Sequence, residues 1–235
     1  MDSLALPLCW IFAVLDLGAT IFLIGFSVKK KSPIAGCMTA IGFGLFYDAL
    51  ICSLSGTLPL SAIETNGFKI VSLFRYILHG ALIPLLFTIC AQALHLKKVW
   101  QIVGIALTIV VSILGILQGC FTDLELLEVA HITRYVSSEN TPRWANSLNR
   151  VITIFPMIPL LATGIVLVIK EKKPWLLLSG ALMFLFAALG GAVPAFRNYN
   201  FVISMIGEVF MLGFFVVYVI TEKNEPKAAK PIKEN

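Results

Sequence analysis

The chain has 235 residues, 58% of them hydrophobic and 13% charged, with a formal net charge of +5. Soluble domains carry about 45–50% apolar and about 25% charged residues, so this composition excludes a water-soluble globule, a disordered chain and a collagen-like repeat. The apolar residues fall in runs of about 20, the length a helix needs to cross about 30 Å of hydrocarbon. They predict an all-α, polytopic integral membrane protein, and the excess positive charge reads as orientation in the bilayer rather than nucleic-acid binding.

Seven transmembrane helices are predicted, near residues 5–28, 34–59, 72–95, 99–120, 151–169, 175–195 and 201–221, forming one domain over 1–221. The first lacks a basic leader and is followed by Lys29, Lys30 and Lys31, so it reads as a retained helix rather than a cleaved signal peptide. Twelve lysines fall on one side of the predicted membrane. Five basic residues (Lys69, Arg134, Arg143, Arg150 and Arg197) fall on the other, with Arg75 at its edge. This bias predicts an N-terminus outside and a cytoplasmic C-terminus. The tail 222–235 is rich in Lys and Pro and is expected to be disordered.

The one long loop, 121–150, falls on the outer side. Phe121, Leu124, Leu127 and Ile132 alternate there with acidic residues, predicting a short amphipathic helix on the surface. Thr141 and Pro142 read as the cap and first position of the fifth helix.

Only four charged residues fall inside the predicted spans: Asp16, Asp48, Arg75 and Glu208. Ionisable groups are expensive in hydrocarbon and mark functional candidates. At 1.5 Å rise per residue, Asp16 and Asp48 both lie roughly 17 Å below the outer edge and are expected to be neighbours. Arg75 and His79 share one helix face, four residues apart. His79 and Glu208 match in depth, roughly 10 Å down by the same rise, and form a candidate acid–base pair. Gly80 and Gly207 beside them would admit a close neighbour or a ligand.

Together these residues predict an outward-facing funnel. Arg75, Arg150, Arg197 and Asn198 ring its mouth as binding residues, His79 and Glu208 form the wall, and Asp16 and Asp48 the floor. The outer arginines, whose planar forks suit carboxylates and phosphates, would hold an anionic head. The five cysteines are scattered singly and the three histidines lie at different depths, so no metal site is expected. No Walker, Rossmann or Gly-x-Ser-x-Gly element is present, and no cofactor is implied. A retinal protein is excluded because the last span has no lysine. In size and layout alone the chain is similar to small membrane-bound terpene cyclases and to three-plus-one-plus-three sugar transporters, without a motif of either.

The expected function is a membrane-embedded enzyme whose partner is a membrane lipid, isoprenoid or other small hydrophobic molecule. Two other readings stand beside it: a small, proton-coupled transporter, and a non-catalytic receptor or assembly factor. The sequence leaves the oligomeric state open.

Overall fold

The computed structural model describes residues 4–223, so the tail expected to be disordered lies, from residue 224 on, outside the described residues. Among the described residues, six helical segments are long and apolar enough to cross a membrane: Ala5–Lys30, Pro33–Thr57, Asn66–Ala93, Lys98–Cys120, Arg143–Glu171 and Phe196–Glu222. Trp175–Gly190 is equally apolar but shorter. The architecture is that of a multi-pass helical membrane protein. Its outward surface carries large apolar side chains such as Val14 (65% exposed) and Ile109 (54%). In water such a surface would drive aggregation; against lipid it carries no penalty.

Local chemistry sets where the helices start and bend. α1 (Ala5–Lys30) ends at Lys31, and α2 (Pro33–Thr57) starts where the Ser32 hydroxyl accepts from the Ala35 N–H. A single turn, α3 (Leu60–Ile63), leads to Thr65, which caps the third span by accepting from the Phe68 N–H. That span breaks at Pro84 into α4 (Asn66–Leu82) and α5 (Leu85–Ala93). A proline frees carbonyls that hydrocarbon cannot solvate. Here α6 (Lys98–Cys120) satisfies them: Ser112 donates to the Ala81 carbonyl at 2.6 Å and Thr108 to the Pro84 carbonyl at 3.0 Å. Pro156 likewise divides the fifth span into α7 (Arg143–Ile154) and α8 (Met157–Glu171). α9 (Trp175–Ala192), a 3-10 turn (Pro194–Tyr199) and α10 (Asn200–Lys223) complete the chain.

α1 packs on α2 and α10, α9 on α8 and α10, and α4 on α6. The largest core cluster unites Leu23, Met38, Leu45, Leu86, Leu160 and Phe215 from five helices. Its position leaves the polar site to the opposite half of the bundle.

The loop 121–150 differs from the sequence expectation. Leu124–Val129 and Ile132–Ser137 form an antiparallel hairpin, β1 and β2, not a surface helix. Its turn residues Ala130 and His131 both have positive φ (52° and 61°), the backbone that joins twisted strands through two residues. The β-branched Ile132, Thr133 and Val136 and the aromatic Tyr135 favour the extended chain. Thr141 is also corrected as a cap: its hydroxyl accepts from the Asp123 N–H at 3.1 Å, closing the hairpin base, and Pro142 stands at the start of α7 without a side-chain cap.

Candidate functional site

A cavity of about 220 Å³ opens among α2, α4, β2, α7 and α10. Asp48, Arg75, Tyr76, His79, Arg134, Asn149, Thr153, Phe201, Ser204 and Glu208 line it. Three of the four charged residues of the predicted spans, and His79 with them, therefore meet in one place.

Asp48 stands within electrostatic reach of Asp16 but pairs with another group. It takes a hydrogen-bonded ion pair with Arg75, whose Nε donates to Asp48 Oδ1. The physical reason is simple: a carboxylate leaving water is stabilised by a guanidinium and destabilised by a second carboxylate. The same pair moves Arg75 from the expected mouth into the interior, where it is 8% exposed. Tyr76 lies against the Arg75 guanidinium, 5.8 Å from ring centre to Cζ. Asp16 is buried within electrostatic reach of Asp48 and Glu208; it also borders a separate groove lined by Val209 and Gly213 of α10, and one of its oxygens has no hydrogen-bond partner.

Glu208 is 5% exposed and its Oε2 has no hydrogen-bond partner. His79 lines the same cavity without a direct hydrogen bond to Glu208 among the described residues. The two glycines expected between their helices serve other contacts. Gly80 lies on Gly115 of α6, and Gly207 lies on Met183 of α9.

The expected ring of outer residues does not form. Arg150, Arg197 and Asn198 are exposed and lie outside this cavity. Exposure keeps the charges of Arg150 and Arg197 in water, which is where an unpaired charge is cheapest. Arg134, which the sequence placed only among the outer basic residues, takes the inner position instead. Strand alternation puts Ile132 and Arg134 on one face of β2, and that face meets the bundle. Arg134 is 9% exposed, its Nη1 contacts Cys52 Sγ at 3.2 Å, and its Cζ stands 4.0 Å from the Phe201 ring centre. It forms no ion pair among the described residues. An i, i+2 pattern centred on Ile132 is the one signal that could have found it.

No group of three or more His, Cys, Asp or Glu is placed to hold a metal ion among the described residues. The five cysteines are free, with Cys9, Cys52 and Cys90 buried, Cys37 half-buried and Cys120 exposed.

Chemically, the cavity combines a carboxyl group with an unpartnered oxygen, an imidazole, two guanidinium groups and a carboxylate pinned to one of them. That set can move a proton beside a polar group while holding that group in place. Thr153 lines this cavity and also an adjoining apolar groove of about 260 Å³ bounded by Ile154, Met157, Met183, Phe184, Ala187 and Ala188. The sequence matches no protein-family model and no curated protein.

Proposed function

We propose that the protein is a membrane-embedded enzyme acting on a lipid or isoprenoid. The observation that supports this reading is the joining of a polar cavity holding Glu208 and His79 to an apolar groove at Thr153. An amphipathic substrate fits such a site, its tail in the groove and its polar end beside the carboxyl. Glu208 serves as the proton donor and His79 as its base partner, acting through the bound group because the two do not touch. Asp48 holds Arg75 in place.

The proposal includes seven crossings, with Trp175–Gly190 as the short one, and an outside N-terminus. Clustering of Lys30, Pro33, His95 and Glu222 around one end of the bundle supports the inner assignment of the lysine-rich turns. The hairpin and the cavity then belong to the outer half.

One observation favours the transporter reading. A second polar pocket of about 370 Å³ lies at the lysine-rich end, lined in part by Ser32, Gln92, His95 and Gln101. A transporter needs polar groups on both sides of its barrier; an enzyme does not.

The deciding experiment incubates the purified protein, in nanodiscs, with a total lipid extract of its expression host and follows each species by mass spectrometry. Conversion of a lipid by the wild type, lost in both Glu208→Gln and His79→Ala, is the expected result. Removing a proton donor of this kind costs about 10²–10⁴ in rate. Conversion that persists in Glu208→Gln overturns the assignment. Uptake of a lipid into sealed vesicles without chemical change establishes the transporter instead.

A further inference from the structure

We infer that Arg75 and Arg134 together form an oxyanion-binding subsite, and that the ligand of this cavity is a lipid with a carboxylate or phosphate head. The inference rests on the reading of the cavity as a lipid site and names the class of head group.

Its basis is the state of the two guanidiniums. Arg75 Nη1 and Arg134 Nε are both buried and both lack a hydrogen-bond partner, although each side chain is more than nine-tenths buried. An unmet buried donor costs about 1–3 kcal/mol, and more when charged. Two such donors at one cavity point to an acceptor that binds there.

Geometry supplies the spacing. Asp48 and Cys52 stand four residues apart on α2, so their side chains share one face with Cβ atoms about 5–6 Å apart. Asp48 holds Arg75 and Cys52 touches Arg134. One helix turn thus brings both guanidiniums to the same face of α2, where both line the one cavity. Aromatic rings steady both planes: Tyr76 against Arg75 and Phe201 against Arg134. A guanidinium with a fixed plane is suited to two-point binding of an oxyanion.

Charge points the same way. Asp48 lies within electrostatic reach of both guanidiniums but is hydrogen-bonded only to Arg75, so two buried cations share one paired carboxylate. Two buried cations on one carboxylate leave positive charge in excess, which is costly in hydrocarbon, and an anionic head removes that cost. The apolar groove past Thr153 gives the tail its place and separates this ligand from a free ion.

The test measures binding to the full-length protein in zwitterionic nanodiscs by calorimetry, using dodecyl phosphate, dodecanoate, dodecanol and inorganic phosphate. Saturable binding of dodecyl phosphate or dodecanoate, at least about tenfold tighter than dodecanol, is expected from charge-assisted pairing. Arg134→Lys, which keeps the charge and loses the fork, should weaken the anionic probes about tenfold. Arg197→Lys, outside the cavity, should not. Equal affinity for dodecanol overturns the proposal and needs no variant, so a misfolded Arg134→Lys leaves the test intact. Inorganic phosphate binding as tightly as dodecyl phosphate overturns the lipid assignment in favour of a free anion. Anion binding without turnover sinks the enzyme reading alone, and turnover without head-group preference sinks this one alone.

Discussion

Single residues at the hairpin end of the bundle are arranged by one rule, that charge is kept either paired or wet. Asp48 and Arg75 obey it as a pair, and Arg150 and Arg197 obey it by exposure. Arg134 and Glu208 do not, nor does Asp16 deeper in the bundle, and the first two are therefore the residues proposed for the site. Asp123 shows the rule outside the membrane. The Ser138 hydroxyl, donating to its Oδ2 at 2.8 Å, holds its carboxyl below the usual carboxylate range, with a smaller contribution from Lys69 at 3.6 Å. A carboxyl lowered in the folded state contributes stability above its unfolded value and loses it as pH falls through the lowered one. Acidification below the usual carboxylate range should therefore loosen the base of the hairpin. Hydrogen exchange of residues 124–137, corrected for its intrinsic pH dependence, should speed up there. In Ser138→Ala the same change should begin at higher pH; protection that ignores both acid and the substitution would remove Asp123 from this role.

At the scale of elements, two contacts place the site. The hairpin delivers Arg134, with Ile132 and Ala130 packed beside Cys9, Ala49 and Met205. The α4–α6 contact holds Arg75 and His79, because α4 meets α6 backbone to backbone at Gly80 and Gly115. A Cβ on Gly80 would stand 2.6 Å from the Gly115 carbonyl oxygen, and backbone cannot swing away as a side chain does. Gly80→Ala should cost about 1–3 kcal/mol through overpacking and lower the melting temperature in detergent. It should also impair the site by tilting α4. Gly18→Ala, where a Cβ meets nothing within 4 Å, serves as the neutral control. Equal melting temperatures for the two variants would show that α4 and α6 do not depend on this contact.

The whole molecule turns on which way it crosses the membrane. On the proposed orientation, which rests on the lysine bias, the hairpin is outside and the polar cavity opens to the outer half. In a Cys120→Ser background, a membrane-impermeant maleimide on intact cells should label Glu139→Cys and spare Glu171→Cys. Both positions are exposed, so reactivity reports sidedness alone. Labelling of Glu171→Cys instead would invert the topology and turn the cavity toward the cytoplasm.

Hydropathy by itself determined the multi-pass helical architecture and the near ends of the spans, because a bilayer demands about 20 apolar residues wherever the chain crosses. It also exposed Asp48, His79 and Glu208, since ionisable groups are rare in such runs. The tertiary structure decided the rest. Asp48 pairs with Arg75 although α1 also packs on α2, because a buried carboxylate gains from a guanidinium and not from a second carboxylate, and span depth carries no information about which side chains face each other. The hairpin was hidden because its turn is Ala130–His131, without the Asn-Gly or Asp-Gly that marks such turns, and because six-residue strands with acidic residues interspersed also read as a helix face. Arg134 entered the site only through that hairpin. Its pattern of two residues per repeat has meaning once a strand has a partner, and the partner is a tertiary fact.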